Sequence, residues 1–358
     1  MIKSLRLLDD KLIKAHEEAL ENNDIDNFVS FTAISVSAGR LAEGMRDDPL
    51  YRDPLIADML HSSKGIQAAA RDWKGMMVKQ EQAKGYPHVV NMVVQRTHYL
   101  DDKLMDALAA MPAAAATGGI QRQVVLLGSG LDTRAWRLDF PSGTAVFEVD
   151  QRDMTNFKLQ CLRDSLAQTD ATSDSASLKH PLKAASWASV ATDLMHADWI
   201  ADLEAKGFQK GLPTAYLAEG LLYYLSAEAV RHLLSTLASI SAPGSALLFS
   251  CINEAFYSGS QHDLKESGAG NGNKLPETTR RFNEAFQIGI PNDVAGFLGP
   301  LGWDASADGA VKDVKDTYKV YGVQEFMPDN NLFDFNKEVN ENLFGPKKYF
   351  LVAARLSS

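Results

Sequence analysis

The stretch Val124–Leu138, which reads VVLLGSGLDTRAWRL, decides the fold class. Its four leading apolar residues run directly into a turn that contains Gly128 and Gly130. A short, fully apolar run is typical of a strand buried on both faces, and glycines directly after it let the backbone approach a ligand closely. The stretch therefore predicts a strand of a parallel sheet with a binding crevice at its carboxyl end.

Further short apolar runs follow at helix-length intervals. The run TAVFEVD covers residues 144–150, and later runs read SWASVATDL, TAYLAEG, SALLFSCI and KKYFLVAARL. Between them, helical spacing of apolar residues predicts helices over 152–168, 199–206 and 227–239, the last with Ser226 as its N-cap. Strands that alternate with helices predict an α/β fold with a mostly parallel, doubly wound sheet and helices on both faces.

The regions outside this alternation are of two kinds. Apolar residues three and four apart predict helices before residue 114, and Pro112, Gly118 and Gly119 end that pattern. We therefore expect an N-terminal helical cap over 1–118 and a cofactor-binding domain over 119–358. Two polar stretches predict irregular structure: a Ser-rich surface loop at 169–184, and a mobile lid within an insertion at about 254–290.

Composition argues against several classes of partner. The net charge is −10, from 36 basic and 46 acidic residues, so we expect no nucleic-acid partner. The two cysteines, Cys161 and Cys251, show no metal-ligand spacing, and no window approaches the ~18 apolar residues of a membrane span. These features predict a cytoplasmic protein without a metal or a membrane partner, and they leave its oligomeric state open.

The glycine turn lacks the marks of a phosphate site. A dinucleotide fingerprint would place a third glycine where Thr133 stands, and no Gly-Lys-Ser/Thr sequence ends the turn. Carboxylates instead follow the predicted strands, and these accept hydrogen bonds from a ribose diol or an exocyclic amine. The turn therefore favours a neutral or cationic nucleoside. The carboxylates concerned are Asp132, Asp150, Asp193 and Glu219.

Five motifs in order make the sequence recognisable. QRTHYLDD, GSGLDTRAWRL, FEVDQ, ATDL and AEGLLYYL resemble those of the leucine carboxyl methyltransferase-like family of S-adenosylmethionine-dependent O-methyltransferases. The resemblance covers roughly Ala33 to Leu356 and is strongest from Arg96 to Cys251. It implies a Rossmann-like class I methyltransferase fold and S-adenosyl-L-methionine as the cofactor. The implied reaction is methyl transfer to an oxygen, with a carboxylate favoured, of a small-molecule or peptide acceptor.

The resemblance also assigns roles to residues. Gly128 and Gly130 would pass under the amino-acid part of the cofactor, with Asp132 and Thr133 completing the turn. Asp150 would hold the ribose hydroxyls. The remaining assignments place Asp193 and Leu194 at adenine, Glu219 near the methionine portion, Arg96 at the carboxylate of the cofactor or the acceptor, and Tyr224 at the methyl acceptor.

Other interpretations remain open at this point. An NAD(P)-dependent oxidoreductase or a non-catalytic cofactor-binding module could use a similar sheet. Arg96 could form only a surface ion pair with Asp101 or Asp102, and Tyr224 could be a core residue. In-line methyl transfer needs mainly positioning, but a histidine could serve as base for a hydroxyl acceptor. The candidates for such a base are His98, His180, His196, His232 and His262.

Overall fold

The computed structural model describes residues 28–60, 88–112, 119–166, 179–196, 198–268, 275, 277–314, 316–317 and 342–357. In that part of the chain the α-helices are α1 (Phe28–Gly44), α2 (Pro54–Met59), α3 (His88–Ala110), α4 (Arg134–Arg137), α5 (Arg152–Leu166), α6 (Trp199–Ala205), α7 (Ala227–Ser239), α8 (Glu254–Gly268), α9 (Glu277–Ala285) and α10 (Val294–Leu298). The strands are β1 (Arg122–Leu127), β2 (Thr144–Asp150), β3 (Ser186–Ala191), β4 (Thr214–Ala218), β5 (Ala246–Ile252), β6 (Trp303–Asp304), β7 (Val311–Asp313) and β8 (Tyr349–Leu356).

The strands form one mixed sheet in the order β3-β2-β1-β4-β5-β8-β6, with β7 also paired to β8. Strands β1 to β5 are parallel, whereas β8 runs antiparallel to β5, β6 and β7. The prediction of a mostly parallel α/β sheet is confirmed. Because β1 lies between β2 and β4, the strand order reverses there, and ligands bind at such a switch point beyond the carboxyl ends of the strands.

Local sequence explains the elements that place this switch point. Every residue of β1 is buried, as expected for a central strand covered on both faces. Helix α7 begins where predicted, because the Ser226 side chain accepts a hydrogen bond from the Ala229 N–H. Its buried face, which packs against the sheet at helical spacing, consists of Val230, Leu233, Leu234 and Leu237.

The described N-terminal helices share the apolar core of the sheet. Leu41 of α1, Leu55 of α2 and Leu100 of α3 belong to the same buried cluster as Val125 of β1. These helices therefore cover the sheet directly, and the boundary of the cap at residue 118 stays a prediction. The first predicted helix, in residues 1–27, lies outside the described residues.

The expectation of irregular backbone is wrong for most of the insertion, whereas its role as a mobile lid stays a prediction. Helices α8 and α9 occupy residues 254–268 and 277–285, while residues 269–274 lie outside the described part of the chain. The polar composition was misleading because each helix buries one face, which includes Phe256 and Ser260 in α8 and Asn283 in α9. Most of the predicted Ser-rich loop, residues 169–178, also lies outside the described residues. No described helix is both long enough and apolar enough to cross a membrane.

Candidate active site

A cavity of about 210 Å³ lies at the carboxyl ends of the parallel strands, between the sheet and helices α1, α3, α8 and α9. Nine of the ten residues to which the resemblance gives a place in the site line this one cavity, whereas the tenth, Thr133, is buried and donates a hydrogen bond to Asp53. The nine are Arg96, Gly128, Gly130, Asp132, Asp150, Asp193, Leu194, Glu219 and Tyr224. The structure thus brings the predicted residues together, while the role of each stays a prediction.

The glycine turn fits closely between two strand ends. Gly128 has a φ of +61°, its N–H donates to the Val149 carbonyl at 2.8 Å, and a Cβ there would lie 2.9 Å from Leu221 Cδ1. The Gly130 N–H donates to Asp150 Oδ2 at 2.6 Å. A side chain at Gly128 would therefore be strained and would enter occupied space, whereas glycine leaves the backbone open to a ligand.

Two carboxylates at the ends of β2 and β3 have no ion-pair partner among the described residues. Asp150 accepts from the backbone N–H groups of Gly130 and Gln151, and Asp193 accepts from the Met195 N–H at 2.8 Å. Burial raises the pKa of Asp150, because desolvation disfavours its charged form. This edge of the cavity therefore offers two carboxyl groups as hydrogen-bond acceptors, which suits a nucleoside better than a phosphate.

A buried network of eight charged side chains lies beside that edge. Arg134 is its centre: it donates to Asp101 at 2.7 Å, to Glu219 at 2.5 Å and to Asp132. Four arginines face four carboxylates, so the network is neutral as a whole. Ion pairs join six of its members directly, namely Arg96, Arg134, Arg137, Asp101, Asp132 and Glu219. The separate pair of Arg40 and Asp53 interacts with Asp132 and Arg137 through charge alone.

Ion pairing fixes the charge state of the two carboxylates of this network that line the cavity. Burial alone would raise the pKa of Glu219, but the guanidinium groups of Arg134 and Arg96 hold it well below its usual range. The pKa of Asp132 is likewise lowered, against its burial, by Arg134 and Arg40. Both carboxylates are therefore anions already engaged by protein donors.

Arg96 is not a surface residue, although its helical spacing from Asp101 and Asp102 was compatible with a surface ion pair. It is buried, its Nε donates to Glu219 at 2.9 Å, and its Nη1 donates to the Tyr349 hydroxyl at 3.0 Å. The alternative of an ion pair with Asp101 is wrong, because Asp101 pairs with Arg134 and Arg137 instead. Within the described chain, Nη2 of Arg96 has no hydrogen-bond partner, so this cavity-lining guanidinium keeps donor capacity for a ligand.

Tyr224 lies in an aromatic cluster on the other side of the cavity. It stacks on Phe286 with ring centroids 6.1 Å apart, and its hydroxyl is hydrogen-bonded to Thr32. Burial raises the pKa of Tyr224, so its hydroxyl stays protonated at neutral pH. The ring lines the cavity and is half-buried, which is compatible with the predicted contact to an acceptor.

A family model described as leucine carboxyl methyltransferase matches residues 33–238 of this chain. That span is more than half of the 358 residues and contains the glycine turn, Asp150, Asp193 and Glu219. The chain belongs to the leucine carboxyl methyltransferase family. The recognition made from the five motifs is confirmed, as is the class I methyltransferase fold, and the oxidoreductase alternative is excluded.

Relatives of this family member carry matching names. A protein of Mycolicibacterium smegmatis is 34% identical over 308 residues, which cover 84% of this chain and 90% of the relative. A second relative, from Mycobacteroides abscessus, is 39% identical over 228 residues, or 62% of this chain and 65% of the relative. Both bear provisional names as S-adenosyl-L-methionine-dependent methyltransferases. The crystal structure of a duf574 family protein from Streptomyces avermitilis is 13% identical, covers 90% of this chain and 97% of that one, and superposes with a TM-score of 0.44.

Sequence reasoning missed several residues that build the family site here. Asp101 lies in the motif QRTHYLDD and Arg134 lies in the motif GSGLDTRAWRL. A charged residue beside apolar residues in these motifs was the sequence signal that could have indicated a buried ion pair. Tyr349 and Phe286 gave no comparable signal. The histidine candidates for a base are not in the site, since none lines the cavity; His180, for example, pairs with Asp58.

Proposed function

We propose that this S-adenosylmethionine-dependent methyltransferase transfers the methyl group to a carboxylate oxygen and so forms a methyl ester. Methyltransferase activity and the cofactor follow from the family. The observation that favours a carboxylate is the chemistry of the cavity wall. Of its described residues, none is histidine, lysine or cysteine.

Four acidic and phenolic groups of the wall are poor bases as well, and Asp150, whose pKa is raised by burial, we assign to the ribose hydroxyls. Glu219 and Asp132 are held as anions by arginine, which lowers their pKa. The hydroxyls of Tyr223 and Tyr224 have raised pKa values because they are buried. A hydroxyl acceptor needs a group that takes its proton, whereas a carboxylate is already ionised at neutral pH. The wall therefore supports an acceptor that arrives as an anion.

The residues at the strand ends fit the cofactor that the family uses. We propose that Asp150 accepts hydrogen bonds from the ribose hydroxyls and that Asp193 and Leu194 contact adenine. Gly128, Gly130 and Asp132 would shape the turn under the amino-acid portion. When bound, the cofactor supplies a methyl group on a positively charged sulfur, which leaves as a neutral thioether. Asp150 and Asp193, which accept only backbone hydrogen bonds among the described residues, keep acceptor capacity for the nucleoside part.

Arg96 and Tyr224 would position the reacting groups. Arg96 offers Nη2 to a carboxylate, either that of the cofactor or that of the acceptor, while Glu219 and Tyr349 hold its other nitrogens. Tyr224 presents a neutral hydroxyl beside the acceptor. With the cofactor bound, the acceptor carboxylate would take the methyl group as the neutral thioether leaves, so no residue of the cavity would have to accept a proton. Orientation supplies most of the acceleration of such a displacement.

We also propose that the protein acts in the cytoplasm without a nucleic-acid partner, as its acidic composition and its content of only two cysteines favour. The predicted cap would complete the acceptor side of the cavity. Its helices α1 and α3 contribute Ala33, Val36, Met92 and Val93 to the wall.

Product chemistry tests the carboxylate proposal. The purified protein is incubated with S-adenosylmethionine labelled in its methyl group and a pool of low-molecular-mass acids and alcohols. A methyl ester releases labelled methanol in mild alkali, whereas a methyl ether or a methylamine does not. We expect the enzyme-dependent label to be released by alkali, and alkali-stable label would contradict the proposal. Heat-inactivated protein serves as the control for background labelling.

A further inference from the structure

The cavity has a second half that the predicted cofactor residues do not account for. Beyond the ends of β4 and β5 its wall consists of aromatic rings from three separate segments. Tyr223 and Tyr224 follow β4, Phe256 stands in α8, and Phe282 of α9 together with Phe286 directly after it completes the wall. We name these five residues the aromatic wall.

Phe286 is the centre of the aromatic wall. Its ring centroid lies 5.3 Å from that of Tyr223 and 6.0 Å from that of Phe256, both in edge-to-face geometry. Tyr224 stacks on Phe286 at 6.1 Å and 26°, and Phe282 lies at 6.3 Å. Aromatic side chains prefer these arrangements, so the rings hold one another in place and present fixed faces and edges to the cavity.

Backbone contacts anchor the wall to the sheet. The Gln287 N–H donates to the Tyr223 carbonyl at 2.8 Å, and the Ile290 N–H donates to the Ile252 carbonyl at 2.9 Å. Gly289 allows this approach, since a Cβ there would lie 2.3 Å from the Asn253 carbonyl oxygen. The wall is therefore a fixed surface of the site.

The wall is continuous with the carboxylate-binding arginine. Tyr223 packs against Phe286 with its ring, and its hydroxyl lies 3.4 Å from that of Tyr349. The Tyr349 hydroxyl in turn accepts from Arg96 Nη1 and donates to Ser250 Oγ at 3.0 Å. An acceptor with an apolar body and one carboxylate could thus contact the aromatic wall and still direct its anionic end towards Arg96.

A peptide acceptor would lose binding free energy against this surface, because its backbone amides would be buried without hydrogen-bond partners. Each buried backbone amide needs a hydrogen-bond partner, and a missing partner costs on the order of 1–3 kcal/mol. The five side chains of the aromatic wall are carbon except for two hydroxyls, of which that of Tyr223 lies against Tyr349 and that of Tyr224 is the one proposed to contact the carboxylate. The surface suits an acceptor whose only polar group is the one that reacts.

We propose that the acceptor is an aromatic monocarboxylic acid, whose ring packs against the aromatic wall, and not the carboxyl terminus of a peptide. This inference rests on the proposed carboxyl methylation. It adds that the apolar half of the cavity selects the body of the acceptor, while Arg96 and Tyr224 position its carboxylate.

Calorimetry with the full-length protein and saturating S-adenosylhomocysteine tests the proposal. The probes are 2-naphthoate and the peptide acetyl-Ala-Ala-Leu, which share a carboxylate but differ in backbone amides. We expect 2-naphthoate to bind and the peptide to bind at least about tenfold more weakly, as one unpaired buried amide predicts. Absence of 2-naphthoate binding at millimolar concentration, or tighter binding of the peptide, would overturn the proposal.

Matched variants locate the contact. Phe286→Leu should weaken 2-naphthoate binding by several-fold to about tenfold, the usual effect of losing an aromatic pair. Phe297→Leu is the control, because Phe297 is equally buried, at 7% exposure, but lies in α10 outside the cavity wall. Phe282→Leu is a second, less buried test of the wall if Phe286→Leu does not fold. Equal 2-naphthoate affinity in all these folded variants would contradict a role for the wall.

Product analysis tests the aromatic acceptor separately from the proposed carboxyl methylation. The same protein is incubated with labelled cofactor and 2-naphthoate, 2-naphthol or the peptide. Methyl 2-naphthoate supports both proposals. A peptide methyl ester without methyl 2-naphthoate refutes the aromatic acceptor and leaves carboxyl methylation intact. The methyl ether of 2-naphthol as sole product refutes carboxyl methylation itself.

Discussion

The two halves of the cavity are built from opposite chemistry. The half under β1 to β3 and at the end of β4 consists of backbone turns and charged side chains, with eight buried charges in one neutral network. The half beyond β4 and β5 consists of aromatic rings held by ring contacts and two backbone hydrogen bonds. The first half thus contains the residues proposed to bind the cofactor, and the second half contains the rings proposed to bind the body of the acceptor.

This difference separates fold stability from specificity. A buried charge that loses its partner is strongly destabilising, so the polar half tolerates little change. Aromatic and aliphatic side chains of similar volume replace one another at lower cost. We therefore infer that the charged half fixes the fold and the cofactor, and that the aromatic half can vary the acceptor without unfolding the protein.

The largest expected effect is on stability in the charged half. Arg134→Met should lower the free energy of unfolding by about 3–5 kcal/mol, because Asp101, Asp132 and Glu219 would each lose a buried partner. Urea denaturation measures it. Arg152→Met is the control, since Arg152 is exposed and the change should alter stability by less than about 0.5 kcal/mol. A loss in Arg134→Met as small as in the control would show that the network is not structural.

The next largest effect is on cofactor affinity, and binding of the acceptor to the aromatic half should stay unchanged. Asp150→Ala should weaken binding of S-adenosylhomocysteine by about 1–3 kcal/mol, the cost of leaving hydroxyls or the Gly130 N–H unpaired. Isothermal titration calorimetry gives the dissociation constant. Asp153→Ala, an exposed change in the first turn of α5, should have no effect. Unchanged affinity in folded Asp150→Ala would remove Asp150 from the cofactor site.

Tyr224→Phe should lower turnover and leave cofactor affinity unchanged, the reverse of what we expect for Asp150→Ala. Loss of the hydroxyl should reduce kcat by about tenfold, or ~1.4 kcal/mol, the effect of one orienting hydrogen bond. Cofactor affinity should stay the same, because Tyr224 lies in the aromatic wall. Steady-state kinetics with the methylated acid, together with calorimetry of the cofactor, measure both values. Full turnover would place the acceptor elsewhere in the cavity.

The smallest expected effects are on stability, at one serine whose hydroxyl is hydrogen-bonded and one serine whose hydroxyl is not. Ser226→Ala should cost about 1 kcal/mol of stability, because it removes the N-cap of α7. Ser260→Ala in α8 should cost less than about 0.5 kcal/mol, since its buried hydroxyl has no hydrogen-bond partner in the described structure. Thermal unfolding of both variants gives the ranking, and a larger loss for Ser260→Ala would mean that its hydroxyl is bonded in solution.

The charged half was the more predictable one from sequence. Its glycines and the carboxylates Asp150 and Asp193 follow apolar strands directly, and parallel strands bring their carboxyl ends to one edge. The partners of Glu219 were not predictable, because Arg134 and Arg96 lie 85 and 123 residues away in the chain. Spacing along the sequence even suggested a wrong partner for Arg96.

The aromatic half was mispredicted for a different reason. Its helices α8 and α9 are rich in polar residues, and tertiary packing of one face stabilises them where local composition favoured a loop. Tyr349, which orients Arg96, comes from the last strand, 253 residues later. Such contacts depend on the sheet order, in particular on the antiparallel insertion of β8 beside β5, and no local pattern encodes that pairing.

A crystal structure of the complex with S-adenosylhomocysteine tests the division of the cavity most directly. We predict that the ribose hydroxyls lie within hydrogen-bond distance of Asp150, that adenine contacts Leu194 and Asp193, and that the aromatic wall stays free of the nucleoside. Adenine or ribose bound against Phe286 and Tyr224, with Asp150 facing solvent, would contradict the account.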